Sequence, residues 1–211
     1  MSSRLPSGIA AHSGNAAGTS GQQRARRLVA GLLIVTGLAT LLYTTICLYG
    51  ATQLVYAPQL PITKTPAAYG LSFQDVSFPS RIDHVQLQGW YIPGVLPDGQ
   101  LTTARTIIMV HGTRRNRADA AAGLLDLSVA LAKHGFAILA FDMRGMGESP
   151  PAPLSLGYFE QRDVLGAVDY LRGGPVPYPD LGRPRTIGGW GVSMGASTLL
   201  LAAAEEPAIQ A

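Results

Sequence analysis

One ten-residue stretch constrains the fold of this chain more than any other. Residues 186–195 read Thr-Ile-Gly-Gly-Trp-Gly-Val-Ser-Met-Gly, and the last five match the pattern G-x-S-x-G around Ser193. The first five predict a short buried strand, and residues 196–205 predict a helix. A strand that turns directly into a helix strains its middle residue, and glycines on either side prevent steric clashes. The stretch therefore predicts a nucleophile elbow, with Ser193 at a helix N-terminus that favours developing negative charge.

The segments before this stretch predict a mixed sheet. Residues 71–78 and 84–92 alternate apolar and polar side chains, which is typical of an antiparallel hairpin. Residues 106–110 and 136–141 are continuous apolar runs, as in parallel strands that are covered on both faces. Amphipathic helices are predicted over residues 119–133 and 160–171. The alternation of strands and helices predicts right-handed crossovers and a parallel sheet in an α/β fold.

Three motifs follow the predicted parallel strands in order. His111-Gly112-Thr113 ends the first strand, residues 142–149 (Asp-Met-Arg-Gly-Met-Gly-Glu-Ser) end the second, and G-x-S-x-G ends the third. Open α/β sheets bind ligands at the carboxyl ends of their strands, so the motifs are expected to converge there. We expect Asp142 to order its own loop and to pair locally with Arg144. Arg114, Arg115 and Arg117 indicate either a solvated loop or a surface for anionic substrates or lipid headgroups, and a structural role stays open for Asn116-Arg117.

This set of motifs resembles the α/β-hydrolase superfamily, and in particular its membrane-anchored bacterial serine-aminopeptidase-like members. The resemblance covers roughly residues 71–205 and implies an acyl-enzyme at Ser193, formed from an ester, thioester or amide. It also implies an oxyanion hole built from the backbone N–H groups of Thr113 and Met194. No cofactor and no metal are implied. The positions matching the family's structural motifs are His111, Gly112, Asp142, Arg144, Gly145, Gly147, Gly191 and Gly195.

The general base and acid expected of such an enzyme have no candidates after the elbow. In the family the order is Ser, then Asp or Glu, then His, yet no Asp or His follows Ser193 in this chain. Glu205 and Glu206 are expected about 15 Å away, at the far end of the helix. His111 matches a histidine with a structural role. The resemblance thus implies a C-terminally truncated domain whose elbow strand is an exposed edge, and an inactive or unstable isolated chain.

Three functional hypotheses remain open at this point. The chain is part of a serine hydrolase, a non-catalytic remnant of one, or an acyltransferase on the same fold. Coding sequence after Ala211 with an in-frame Asp and a later His would favour the enzyme, and a natural stop codon would favour the remnant. Composition argues against one other class of function: a net charge of +3 without a basic face is not typical of nucleic-acid-binding proteins.

The N-terminal quarter predicts a membrane anchor. Residues 1–27 predict a disordered basic tail that ends in Arg24, Arg26 and Arg27. Residues 28–50 carry no charge and are long enough to span a bilayer, with the N-terminus cytoplasmic and the hydrolase domain outside. A cleaved signal peptide is the competing interpretation. Residues 51–70 predict a Pro-rich linker that lifts the domain off the membrane, and residues 71–211 the incomplete α/β-hydrolase domain.

Overall fold

A computed structural model describes residues 16–210. They form two compact units, divided between Ala51 and Thr52 within the first helix. Helix α1 runs from Ala16 to Val55. The tail predicted over residues 1–27 is therefore helical from residue 16 onward, because its Gln, Arg and Ala residues extend the apolar helix; residues 1–15 lie outside the described part.

Helix α1 is exposed along its whole described surface and is free of charged residues after Arg27. Ser20–Val55 is long and apolar enough to cross a membrane, and none of its most apolar window is buried. Side chains of Thr40, Thr44 and Thr45 donate to carbonyls four residues earlier, so these hydroxyls are satisfied within the helix itself. Length and composition suit either a membrane span or a signal sequence, as the sequence predicts.

The second unit is built on a six-stranded sheet with the order β1-β2-β6-β5-β7-β8. Strands β1 and β2 are antiparallel, as are β2 and β6, whereas β5 is parallel to both β6 and β7. The predicted mixed sheet is therefore confirmed. The strands are β1 (Gln74–Pro79), β2 (Gln86–Ile92), β5 (Arg105–Val110), β6 (Ala137–Phe141), β7 (Thr186–Gly191) and β8 (Ile209–Gln210), with a separate hairpin of β3 (Gly94–Val95) and β4 (Leu101–Thr102).

Three helices cover the two faces of the sheet. They are α2 (Leu124–Lys133), α3 (Gln161–Gly173) and α4 (Met194–Glu205). Helix α2 buries Leu124 and Val129 in a cluster with Trp90 and Ile138. Helices α3 and α4 cover the other face, in a cluster that includes Phe141. Alternate residues of β6 thus enter opposite cores, which explains why this strand is apolar throughout.

The outer edge of β7 differs from the expectation of an unpaired elbow strand. Strand β8 pairs with its first half in parallel, with Ile187 opposite Ile209 and Gly188 opposite Gln210. The pairing stops there, so Gly189–Gly191 has no partner on that side among residues 16–210. The expectation was wrong for the start of the strand because the chain returns from α4 within four residues.

The segment after α1 lies on the domain instead of extending away from it. Gln59 Nε2 donates to the Ser149 carbonyl at 2.6 Å, and the Leu60 carbonyl accepts from Asn116 Nδ2 at 3.1 Å. A 3₁₀ turn at Pro66–Tyr69 buries Pro66. The Pro-rich linker predicted over residues 51–70 is thus short and docked, because its carbonyls find donors in loops of the domain.

Candidate active site

The G-x-S-x-G stretch folds as a sharp strand-to-helix turn. Strand β7 ends at Gly191, helix α4 begins at Met194, and Ser193 between them has φ 53° and ψ −124°. Non-glycine residues with positive φ are uncommon, and such backbone costs about 1–3 kcal/mol. Ser193 is exposed, and its hydroxyl has no hydrogen-bond partner among residues 16–210. The turn therefore presents a strained serine to solvent at the start of a helix.

The flanking glycines are required by close backbone contacts. A Cβ at Gly191 would lie 2.7 Å from the carbonyl carbon of Gly195. A Cβ at Gly195 would overlap the carbonyl oxygens of Val110 and His111. These contacts leave no room for any side chain, so the steric role predicted for both glycines follows from the geometry.

The loop after β5 lies directly beside Ser193. A Cβ placed on Gly112 would be 3.5 Å from Ser193 Cβ, an ordinary van der Waals contact, so the two loops lie side by side. Thr113 Oγ1 donates to Met194 Sδ at 2.8 Å, which joins the two loops. The N–H groups of Thr113 and Met194 donate to no acceptor in the described part of the chain. Two backbone donors without an acceptor among residues 16–210 therefore lie in the loops beside the exposed serine.

His111 is a structural residue and not a base. It is fully buried, and its Nε2 lies 3.0 Å from the backbone nitrogen of Met143, which can only donate. The ring proton is therefore on Nδ1, which donates to the Gly112 carbonyl at 2.8 Å. Burial lowers the pKa of His111, so the ring stays neutral with both nitrogens engaged. It fixes the carboxyl ends of β5 and β6 relative to each other.

Asp142 pairs with Arg117 and not with Arg144, which corrects the expectation of a local pair. Its side chain is fully buried, and it accepts from Nη1 of Arg117, from the Arg117 backbone N–H at 2.6 Å and from the Glu148 N–H at 2.9 Å. Gly147, at φ 54°, leaves room for this carboxylate, which a Cβ there would overlap. Asp142 does order its own loop, but it also holds the loop after β5.

Arg117 is accordingly a core residue, so the solvated loop does not describe it and the structural role left open for it fits. Its side chain is 3% exposed, and its guanidinium carbon lies 4.4 Å from the centre of the Trp90 ring. Arg114 is half-buried, and Arg115 is exposed beside Asp119. The three arginines therefore do not form one cationic surface.

Arg144 belongs to a second buried ion-pair network. It donates to Asp163 at 2.7 Å and to Asp83 at 2.5 Å, so it ties helix α3 and the β1–β2 turn to the loop after β6. Burial opposes ionisation of Asp83, but the hydrogen bonds from Arg144 and Ser80 hold its pKa well below the usual range. Gly145, at φ 73°, turns the chain directly after this arginine.

No described side chain is placed to act as a base for Ser193. His84 precedes β2, and His134 is an exposed residue whose ring contacts the Ala130 carbonyl at the end of α2. Glu206 pairs with Arg81 at 2.9 Å, and hydrogen bonding to this arginine lowers its pKa. His12 lies outside the described residues. The site thus holds a strained serine and two donors, and residues 16–210 supply neither a base nor an orienting acid.

Sequence reasoning missed the two ion-pair networks. Local patterns predict no partner for Arg117 or Asp163, although both side chains are buried. Their partners lie 25 and 19 positions away along the chain, so no local pattern joins them. Arg117 lies in a loop and Asp163 in the first turn of a helix, where charged residues are usually exposed.

Strand order, crossovers and the elbow together define an α/β-hydrolase fold. Residues 107–210 match the sequence model described as the Alpha/beta hydrolase family. The Pyrococcus furiosus esterase Pf2001 superposes with a TM-score of 0.62 at 28% identity, over 74% of this chain and 55% of the esterase. No curated protein sequence gives a significant match.

More distant structures share the fold alone. The α/β hydrolase GrgF from Penicillium aligns at 24% identity and a TM-score of 0.54, over 66% of this chain and 44% of its own. Est1E from Butyrivibrio proteoclasticus, solved with ferulic acid bound, aligns at 22% identity and a TM-score of 0.51, over 64% of this chain and 49% of Est1E. The chain spans about half the length of these solved structures.

Proposed function

We propose that this protein is a serine hydrolase that cleaves an ester, thioester or amide through an acyl-enzyme at Ser193. The observation that carries the proposal is the backbone of Ser193, a non-glycine residue held at φ 53° and exposed at a helix N-terminus. Strain of this kind persists only where the surroundings enforce it, and it concentrates at functional sites. The 28% identity to an esterase supports the same chemistry.

The neighbouring backbone supports acyl transfer. Attack by Ser193 Oγ on a carbonyl produces a tetrahedral oxyanion, and the N–H groups of Thr113 and Met194 are available to stabilise it. Removing one such donor from an enzyme costs about 3–4 kcal/mol of barrier. An acyltransferase would use the same elbow, with an alcohol or amine replacing water in the second step.

The base and acid are proposed to come from residues other than 16–210. A serine hydroxyl is a weak nucleophile without a base. Among the described histidines, His111 is buried with both ring nitrogens hydrogen-bonded, and His134 is exposed at the end of α2. We therefore expect no Ser193-dependent turnover of p-nitrophenyl acetate by the 211-residue chain alone. In that state the chain would behave as a non-catalytic remnant.

The test is fluorophosphonate labelling of a form that carries an Asp or Glu and a His after the elbow helix. We expect labelling to vanish in Ser193→Ala and to persist in Ser197→Ala. Ser197 is the matched control because it is an exposed serine in the first turn of the same helix. Labelling that survives Ser193→Ala would refute the proposed nucleophile.

We also propose that α1 anchors the protein as a single-pass signal anchor. The charge-free residues 28–50 are suited to span a bilayer, and Arg24, Arg26 and Arg27 favour a cytoplasmic N-terminus. The hydrolase domain then lies on the extracytoplasmic side. Protease protection of the N-terminus, with digestion of the domain from outside, in intact cells would support this orientation, and the reverse pattern would contradict it.

A further inference from the structure

The end of α1 contacts loops on the active-site side of the domain. Arg114, one residue after the proposed oxyanion donor Thr113, donates from Nη1 to the Gln53 carbonyl at 2.8 Å. The Leu154 N–H donates to the Val55 carbonyl at 2.7 Å. Loops that follow β5 and β6 thus converge on the last turn of the helix.

The loop after β6 is unusually apolar where it meets this helix end. Residues 149–159 read Ser-Pro-Pro-Ala-Pro-Leu-Ser-Leu-Gly-Tyr-Phe and carry no charge. Three large side chains in four residues point to solvent: Leu156 is 72% exposed, Tyr158 63% and Phe159 40%. Tyr56, next to Val55, is 50% exposed. Contiguous exposed apolar side chains of this kind mark an interaction surface.

Local hydrogen bonds and backbone conformation hold these side chains in exposed positions. The buried Glu160 carboxylate accepts from the N–H groups of Ser155 and Gly157, both at 2.8 Å, and from the Ser155 hydroxyl. Leu156 is held between them at φ 56°, a strained conformation for a leucine. A fully buried acid and a strained leucine thus hold apolar groups in water, an arrangement that costs free energy unless something covers them.

We propose that residues 154–159 dock into the bilayer interface beside the end of α1, with a lipid surface as their partner. The inference rests on the membrane anchor in the proposed function. The charge-free residues 28–50 span about 34 Å at about 1.5 Å per residue, close to the roughly 30 Å of a hydrocarbon core. Val55 follows about 7 Å later, within the headgroup region. Residues hydrogen-bonded to Val55 lie at that same level.

The composition of the surface fits an interface and not the hydrocarbon core. Tyrosine and other aromatic rings concentrate where apolar tails meet headgroups. Tyr158 and Phe159 pack edge to face at 5.0 Å, and Arg162 lies over the Phe159 ring at 4.8 Å, which places a cation at the outer rim of the patch. The active-site loops would then open at the membrane surface, where amphiphilic esters reside.

Depth-dependent quenching in nanodiscs of phosphatidylcholine and phosphatidylglycerol tests the docking. The native Cys47, the single cysteine in the sequence, carries an environment-sensitive fluorophore and reports whether α1 is inserted. In a Cys47→Ser background, Leu156→Cys and Tyr158→Cys report on the loop. Leu101→Cys is the matched leucine control, because β4 precedes the amino end of β5, the end of the strand away from Ser193.

We expect labels at 47, 156 and 158 to shift to shorter wavelength and lose most of their emission when doxyl-labelled lipid is included, while label 101 stays unchanged. Quenching at 47 without quenching at 156 and 158 overturns the docking but leaves the anchor intact. No quenching at 47 removes the anchor and the docking together. If the emission of the label at 156 shifts to shorter wavelength but is not quenched by the doxyl-labelled lipid, the loop contacts protein and not lipid, which also overturns the proposal. None of these readings depends on hydrolysis, so they do not test Ser193.

Discussion

The pair between Arg117 and Asp142 gives the sharpest test of how the active-site loops are held. Arg117 is 3% exposed, Asp142 is fully buried, and the carboxylate accepts three hydrogen bonds. Replacing Asp142 by Asn leaves the guanidinium charge buried without its main partner. Breaking a buried pair in this way costs about 3–5 kcal/mol. We expect Asp142→Asn to lower the free energy of unfolding by about 3 kcal/mol, a large share of the roughly 5–15 kcal/mol of a typical domain.

The matched control is Glu148→Gln, because Glu148 pairs with the same arginine but its side chain is 57% exposed. Exposed pairs contribute about 0–1 kcal/mol, so this variant should unfold nearly as the parent does. Urea unfolding in mild detergent, followed by the emission of Trp90 beside Arg117, measures both variants. In Arg117→Met with Asp142→Asn the losses should be less than additive, since the two groups interact directly. Equal losses for Asp142→Asn and Glu148→Gln would refute the reasoning.

Three further predictions concern the elbow and the second network. Gly195→Ala should destabilise the protein by about 1–3 kcal/mol or prevent folding, because its Cβ would overlap two carbonyl oxygens. A Cβ at Gly188 would lie no closer than 3.7 Å to its neighbours, so Gly188→Ala should be tolerated, and thermal melts that rank the two variants in the opposite order would contradict this. Ser193→Gly should have a free energy of unfolding about 1 kcal/mol higher than Ser193→Ala, because only glycine relieves the backbone strain at φ 53°. Equal urea midpoints for the two variants would show that the turn stores no strain. The pKa of Asp83 is lower in the folded protein than in the unfolded chain, so its ionised form stabilises the fold above the unfolded pKa of about 4. This stabilisation is lost as the pH falls towards the folded pKa. Asp83→Asn should therefore reduce the loss of unfolding free energy between about pH 5 and pH 3, and an unchanged pH dependence would show that Asp83 does not contribute.

Sequence patterns alone predict the fold class and the strand-turn-helix that carries Ser193. Both depend on short-range patterns: apolar runs of strand length, helical periodicity, and glycines two positions from Ser193. Each pattern spans only a few residues, so the strand, the turn and the helix can be predicted from local sequence. The strained turn itself is enforced by distant contacts, such as those of Gly195 with the carbonyls of Val110 and His111. The family resemblance implies a structural role for His111, and both of its ring nitrogens are hydrogen-bonded.

The loops around Ser193 are fixed by contacts between distant parts of the chain. The partner of Asp142 is Arg117, 25 positions earlier, and the partners of Arg144 come from α3 and the β1–β2 turn. Which charges meet is set by the strand order, because β6 lies between β2 and β5. The contact of Val55 with Leu154, about a hundred residues apart, has the same origin. Charge pairing and docking are long-range consequences of topology, and the local sequence does not encode them.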